Sequence, residues 1–204
     1  MTTFSEWQAS RFNSGDPATT VTCQGCHFAE GRHGELRAED LQAAATVDLA
    51  LEADGDAGIS ARVTITNSGA GHSLPTGATE LQQLWLEVRA TDAAGREIFH
   101  SGAADGYGDP GEDAVTLGTV WLDGEGRPTE RHWEAASVLR DQRIAAGEAF
   151  TASFAIPLPP GTVLPVRVEA ALNYRAASGY LTGLMAIYLQ EEIPPAPTVR
   201  MASA

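Results

Sequence analysis

From residue 44 onward, apolar and polar positions alternate and β-branched residues fall on the apolar beat, the pattern of half-buried strands. Thr46-Val47-Asp48-Leu49-Ala50-Leu51-Glu52 alternates, Asp54-Gly55-Asp56-Ala57-Gly58 turns, and Ile59 to Asn67 alternates again, which predicts a hairpin. Further strands are predicted over 81–90, 96–100, 115–122, 149–156, 163–174 and 181–189, punctuated by Gly- and Pro-containing turns. Strands at this spacing predict a mainly β fold, an antiparallel β-sandwich. Val63, Ile65, Trp85, Leu86, Val88, Phe154, Val168 and Leu172 are its expected core. Residues 194–204, rich in Pro and Ala, read as a mobile or surface-lying tail, so the sandwich is assigned 44–193.

The first 43 residues read differently. Residues 4–12 predict a short helix that offers Trp7 and Phe12 to a flat apolar ligand or to an ordinary core, and residues 39–43 read as a polar connection. Between them stands Cys23-Gln24-Gly25-Cys26-His27, which holds both cysteines of the chain. C-x-x-C-H is the attachment signature of haem c: two thiols bond the haem vinyl groups and the next histidine ligates the iron. A zinc site of the Cys2His2 kind wants its histidines a dozen or so residues further on. A thioredoxin-like dithiol wants a βαβ setting, and a plain disulfide leaves His27 unexplained. The expectation is therefore one covalently attached haem c per chain, with Cys23 and Cys26 as anchors, His27 as proximal ligand, and Trp7 and Phe12 packing on the cofactor. The fold is then a β-sandwich with a short N-terminal haem-binding segment.

Composition narrows the setting. Thirteen basic residues, all Arg, against 27 acidic ones give a net charge of −14, which repels nucleic acid and anionic lipid and steers a basic protein partner. No apolar run approaches the ~18 residues of a membrane span, so membrane association is expected only through a partner complex. Haem c is assembled outside the cytoplasm, which places the chain in the periplasm or outside the cell. Residues 1–20 carry no secretory pattern, and Met1-Thr2-Thr3 reads as a mature-type start.

An electron-transfer haem takes a second axial ligand. Candidates are His33, His72, His100, His132, Met185 and Met201. His72 sits in Asn67-Ser68-Gly69-Ala70-Gly71-His72-Ser73-Leu74-Pro75-Thr76-Gly77, where small residues admit close approach and Pro75 and Gly77 stiffen the loop. The same loop also suits a histidine that only caps a turn. Asp105, Asp109, Glu112 and Asp113 offer hard oxygens that suit calcium, but their spacing is not that of an EF-hand and the run reads as a solvated acidic loop. Asp141 with Arg143 reads as a buried-turn ion pair.

Trp7-Gln8-Ala9-Ser10, Thr22-Cys23-Gln24-Gly25-Cys26-His27 and the 66–77 segment together resemble the C-terminal part of cytochrome c554-type multihaem cytochromes. So do residues 141–148 and Leu172-Asn173-Tyr174-Arg175, and the resemblance covers most of 4–175. It implies bis-histidine electron transfer with His72 as distal ligand. The chain departs from that pattern in having one C-x-x-C-H and in placing Arg11-Phe12 where a haem-ligating histidine is common. The expected function is thus one-electron transfer by a monohaem cytochrome with a redox protein partner. The rivals are a haem enzyme or small-molecule sensor with an open distal site, and a docking module of a larger respiratory or extracellular cytochrome complex.

Overall fold

The computed structural model describes residues 2–28, 38–55 and 58–204. Three short helices lead in: α1 (Thr3–Ala9), α2 (Cys23–His27) and α3 (Ala38–Ala44). Eleven strands follow among the described residues: β1 (Thr46–Asp54), β2 (Gly58–Thr66), β3 (Gln83–Thr91), β4 (Glu97–Ser101), β5 (Val115–Leu117), β6 (Thr119–Leu122), β7 (Pro128–Thr129), β8 (Ser137–Asp141), β9 (Ala149–Pro157), β10 (Arg167–Arg175) and β11 (Thr198–Ser203). Helix α4 (Gly179–Leu189) stands between β10 and β11. The fold is mainly β and antiparallel, with the helices of the lead-in at its N-terminus.

One sheet runs β1-β2-β9 and a second β11-β10-β3-β4, with β5 also paired to β3. The period-two pattern places Ala61, Val63 and Ile65 of β2, and Phe154 and Ile156 of β9, in one buried cluster with Leu84, Leu86, Val88 and Ala90 of β3 and Val168, Ala170 and Leu172 of β10. All eight residues expected in the core are buried. Trp85 belongs to the opposite face of β3: its indole N–H donates to the Gly102 carbonyl at 3.1 Å. A small third sheet, β7-β6-β8, arises because Gly118, with φ of 141°, breaks the expected 115–122 strand in two.

Three expectations are corrected. Residues 181–189 form a helix, not a strand: Ser178 caps it by accepting from the Leu181 N–H at 3.2 Å, and an apolar run without periodicity does not separate the two states. The 198–203 part of the tail expected to be mobile or surface-lying is edge strand β11, paired along β10 from Arg175↔Thr198 to Ala171↔Ser203 and burying Met201. The polar connection is helix α3, whose Leu41 and Ala44, three apart, turn into the core. Helix α4 carries no charged residue and keeps Ile187 and Tyr188 78% and 88% exposed. No helix among the described residues is long and apolar enough to cross a membrane.

The topology gathers the chemistry at one end of the β1-β2-β9 sheet. The hairpin register pairs Thr46 with Thr66, so the chain entering β1 from α3 lies beside the chain leaving β2 toward His72. Thr66 pairs in turn with Ala149, which brings residues 141–148 to the same end.

Leu172→Ala should cost about 2–5 kcal/mol, because Leu172 is fully buried between the sheets. Leu51→Ala, on the 46%-exposed end of β1, should stay within about 0.5 kcal/mol. Urea unfolding of the two variants checks the pair; equal losses would mean the sheets do not share the core described here.

Candidate functional site

Helix α2 is the C-x-x-C-H pentapeptide itself. Thr22 caps it, its hydroxyl accepting from the Gly25 N–H at 3.0 Å. One short turn thereby places Cys23, Cys26 and His27 on the rim of a cavity of about 600 Å³, a size common for ligand pockets. The wall is mostly apolar: Phe4, Trp7, Phe12, Val21, Leu41 and Leu84 contribute, with Asp40, Gln82 and Tyr174 among the polar members. Both cysteines are free and exposed.

His72 lines the same cavity. Its ring and that of His27 lie within 15° of parallel with centroids 6.2 Å apart. Two imidazoles on opposite sides of one metal reach about this separation: ~2.0–2.1 Å from metal to nitrogen and ~1.1 Å from nitrogen to ring centre, taken twice. His72 Nδ1 lies 2.9 Å from the Ser73 carbonyl, and an N–H there donates to it and leaves Nε2 as the free nitrogen. The donor set fits a haem: two thiols, the adjacent His27 imidazole, the facing His72 imidazole and an apolar wall meet in one cavity.

The loop that carries His72 is held from several sides. Asn67, 1% exposed, donates through Nδ2 to the carbonyls of His72 (2.8 Å) and Ile144 (2.9 Å), and its Oδ1 accepts from the Ala70 N–H at 3.2 Å. Leu74 and Ile144 exchange backbone hydrogen bonds of 2.8 and 2.9 Å. The two small residues expected to make room for a cofactor instead make room for protein. A Cβ on Gly69 would fall 1.9 Å from the Ala43 carbonyl oxygen, and one on Gly71 would fall 3.1–3.4 Å from Phe12, Trp7 and Ser10. Trp7 and Phe12 therefore wall the cavity and brace the His72 loop together. Trp7 is fixed by donating its indole N–H to the Val21 carbonyl at 2.9 Å.

Of the remaining ligand candidates, His33 lies outside the described residues. His100 sits between Glu87 (3.0 Å) and Glu97 (3.3 Å), His132 stacks edge-on against Trp133, Met185 is on exposed α4 and Met201 is in the core; none of the four lines the cavity. In the acidic loop, Asp105 accepts from the N–H groups of Tyr107 and Asp109, and Asp109 accepts from Gln83 and Gly179. Asp113 accepts from Gly102, so three of these carboxylates shape turns. Asp141 and Arg143 form a two-bond ion pair (2.9 and 2.7 Å) that is half-exposed rather than buried.

Sequence patterns gave no signal for Glu6. Its Oε2 accepts the Ser73 N–H at 3.0 Å, and its Oε1 lies 2.6 Å from the Thr2 hydroxyl and 3.4 Å from Arg143 Nη1. Burial opposes its ionisation, but the hydrogen bonds from Thr2 and Ser73 and the Arg143 charge outweigh it and hold the carboxyl below its usual range. The Arg143 hydrogen bonds likewise lower Asp141 against the opposing effect of burial.

No family model matches this chain, and no curated protein does. Among solved structures it resembles a penta-heme cytochrome c552 from Thermochromatium tepidum, with a TM-score of 0.68 and 24% identity, over 99% of this chain. It spans 50% of that structure's chain. The two share a fold.

Asn67→Ala leaves buried partners unpaired and should destabilise by at least about 1–3 kcal/mol, read by urea unfolding. Glu6 and Asp141 have lowered folded-state pKa values, so their contribution is complete above the unfolded values of 4.5 and 3.8 and is lost as pH falls through the lower folded ones. A pH titration of stability should show this acid-side loss diminished in Arg143→Met; an unchanged acid limb would remove the ion-pair network from the account.

Proposed function

We propose that this chain is a c-type cytochrome that transfers single electrons, with haem c bonded to Cys23 and Cys26 and ligated by His27 and His72. The observation that carries the reading is the near-parallel pair of imidazoles 6.2 Å apart in a cavity that both cysteines line. The shared fold with a pentahaem cytochrome is consistent with it.

The bound group would supply an iron that cycles between ferric and ferrous states. The chain's own residues hold and tune it. Cys23 and Cys26 would anchor it, His27 and His72 would hold its iron, and Trp7, Phe12, Leu41 and Leu84 would exclude water from it. That exclusion raises the cost of the charged ferric state, whereas two imidazole donors and the surrounding acidic protein favour it. Cys23, Cys26 and Phe28 are exposed, so the thiol side of the cavity is open to a partner. With a net charge of −14, that partner is a basic redox protein, met outside the cytoplasm, and association weakens as salt rises.

Production with a haem c maturation system should yield haem that survives acid-acetone extraction and runs with the polypeptide on a denaturing gel. The iron should be low-spin, and the reduced protein should bind little carbon monoxide. His72→Ala should keep the covalent haem, turn high-spin and bind carbon monoxide readily. Extractable haem would sink the attachment. A high-spin wild type would sink the second ligand and favour the open-site enzyme or sensor.

A further inference from the structure

Helix α1 does more than wall the cavity. Together with the residues just after it, it clasps the His72 loop at separate points: Thr3 and Thr76 share a hydroxyl–hydroxyl bond of 2.8 Å, Trp7, Ser10 and Phe12 close over Gly71, and Glu6 takes the Ser73 N–H at 3.0 Å. Ser73 is buried, at 8% exposure, so its N–H depends on that carboxylate for a partner. The same residue's carbonyl is the acceptor 2.9 Å from His72 Nδ1. The Glu6 carboxylate also lies 3.4 Å from Arg143, whose neighbour Ile144 exchanges both backbone bonds with Leu74. One carboxylate therefore joins the helix of the attachment segment, the backbone beside His72 and the 141–148 segment of the sandwich.

We propose that Glu6 is the positioning residue for His72. Its carboxylate fixes Ser73, Ser73 orients the imidazole through Nδ1, and Nε2 faces the cavity only while α1 is docked. The distal imidazole is thus delivered by the same segment that carries the thiols. An acceptor at Glu6 is what the arrangement needs: a charged one binds the N–H most strongly, a neutral amide carbonyl less so. This rests on the reading of His72 as an iron ligand.

The test is the carbon monoxide association rate of the reduced holoprotein, which is limited by how often His72 leaves the iron. Losing a hydrogen bond to a charged group should raise that rate roughly ten- to hundredfold in Glu6→Ala. Glu6→Gln, which keeps a carbonyl acceptor, should recover most of the wild-type rate. Ile156→Ala, destabilised at the end of the β1-β2-β9 sheet remote from the Thr66–Ala149 pairing, should leave the rate near wild type, which separates positioning from general loss of stability. If Glu6→Ala does not accumulate, Glu6→Asp, one methylene short of Ser73, carries the same comparison. A wild-type rate in the Glu6 variants, alongside fast binding in His72→Ala, overturns the role of Glu6 and leaves the ligand intact. A rate that rises equally in Ile156→Ala also overturns it. If His72→Ala itself binds carbon monoxide no faster than wild type, the ligand reading has failed instead.

Discussion

The pairing of Thr46 with Thr66 is the constraint from which the site follows. An antiparallel hairpin returns the chain to where it started, so whatever precedes β1 and whatever follows β2 must share one end of the sheet. Before β1 come α3 and the Cys-His segment; after β2 comes the loop of His72. The imidazoles, 45 positions apart in sequence (72 − 27), come within 6.2 Å because of that register. The Gly69 N–H, bonded to the Ala44 carbonyl at 3.0 Å, extends the ladder one step past the strands and locks the two approaches together.

Holding the loop then becomes a matter of satisfying buried polar groups. Asn67 meets this need with three side-chain bonds and two backbone bonds, to Glu148 (3.0 Å) and from Gly147 (2.9 Å). The backbone around His72 is consequently anchored to β9's approach as well as to β2's exit. His72 on such a loop has few alternative positions, which is the preorganisation that the proposed electron-transfer centre would require. Under the proposed function, the acidic exterior would attract a basic partner at long range and the exposed thiol side would leave the cavity open to its approach.

Much of this was readable from the chain. Alternation in 46–67 and 149–156 predicts β2, β9 and their buried faces because side-chain period two survives any tertiary context. The C-x-x-C-H motif and the stiff loop around His72 were both legible as candidate site segments, and the fold brings Cys23, Cys26, His27 and His72 to one cavity. What escaped has physical reasons. In α4 every face is apolar, so no period distinguishes helix from strand, and the Ser178 cap lies outside the run that was read. β11 is a short Pro-flanked edge strand whose pairing partner is 23 positions upstream at its nearest (198 − 175), beyond any local signal. Glu6 looks like an ordinary solvated residue of an amphipathic turn; only the folded loop brings an N–H to it. The small-residue pattern at Gly69 and Gly71 predicts close approach to a porphyrin face, whereas in the fold it is Ala43, Trp7 and Phe12 that approach.

The axial pair is the central claim, and near-infrared magnetic circular dichroism of the ferric holoprotein tests it most directly, because the energy of its charge-transfer band depends on the two axial donors. The account predicts the band of two neutral imidazoles, and its shift to the histidine–water type in His72→Ala. A histidine–methionine or histidine–water band in the wild type would contradict it.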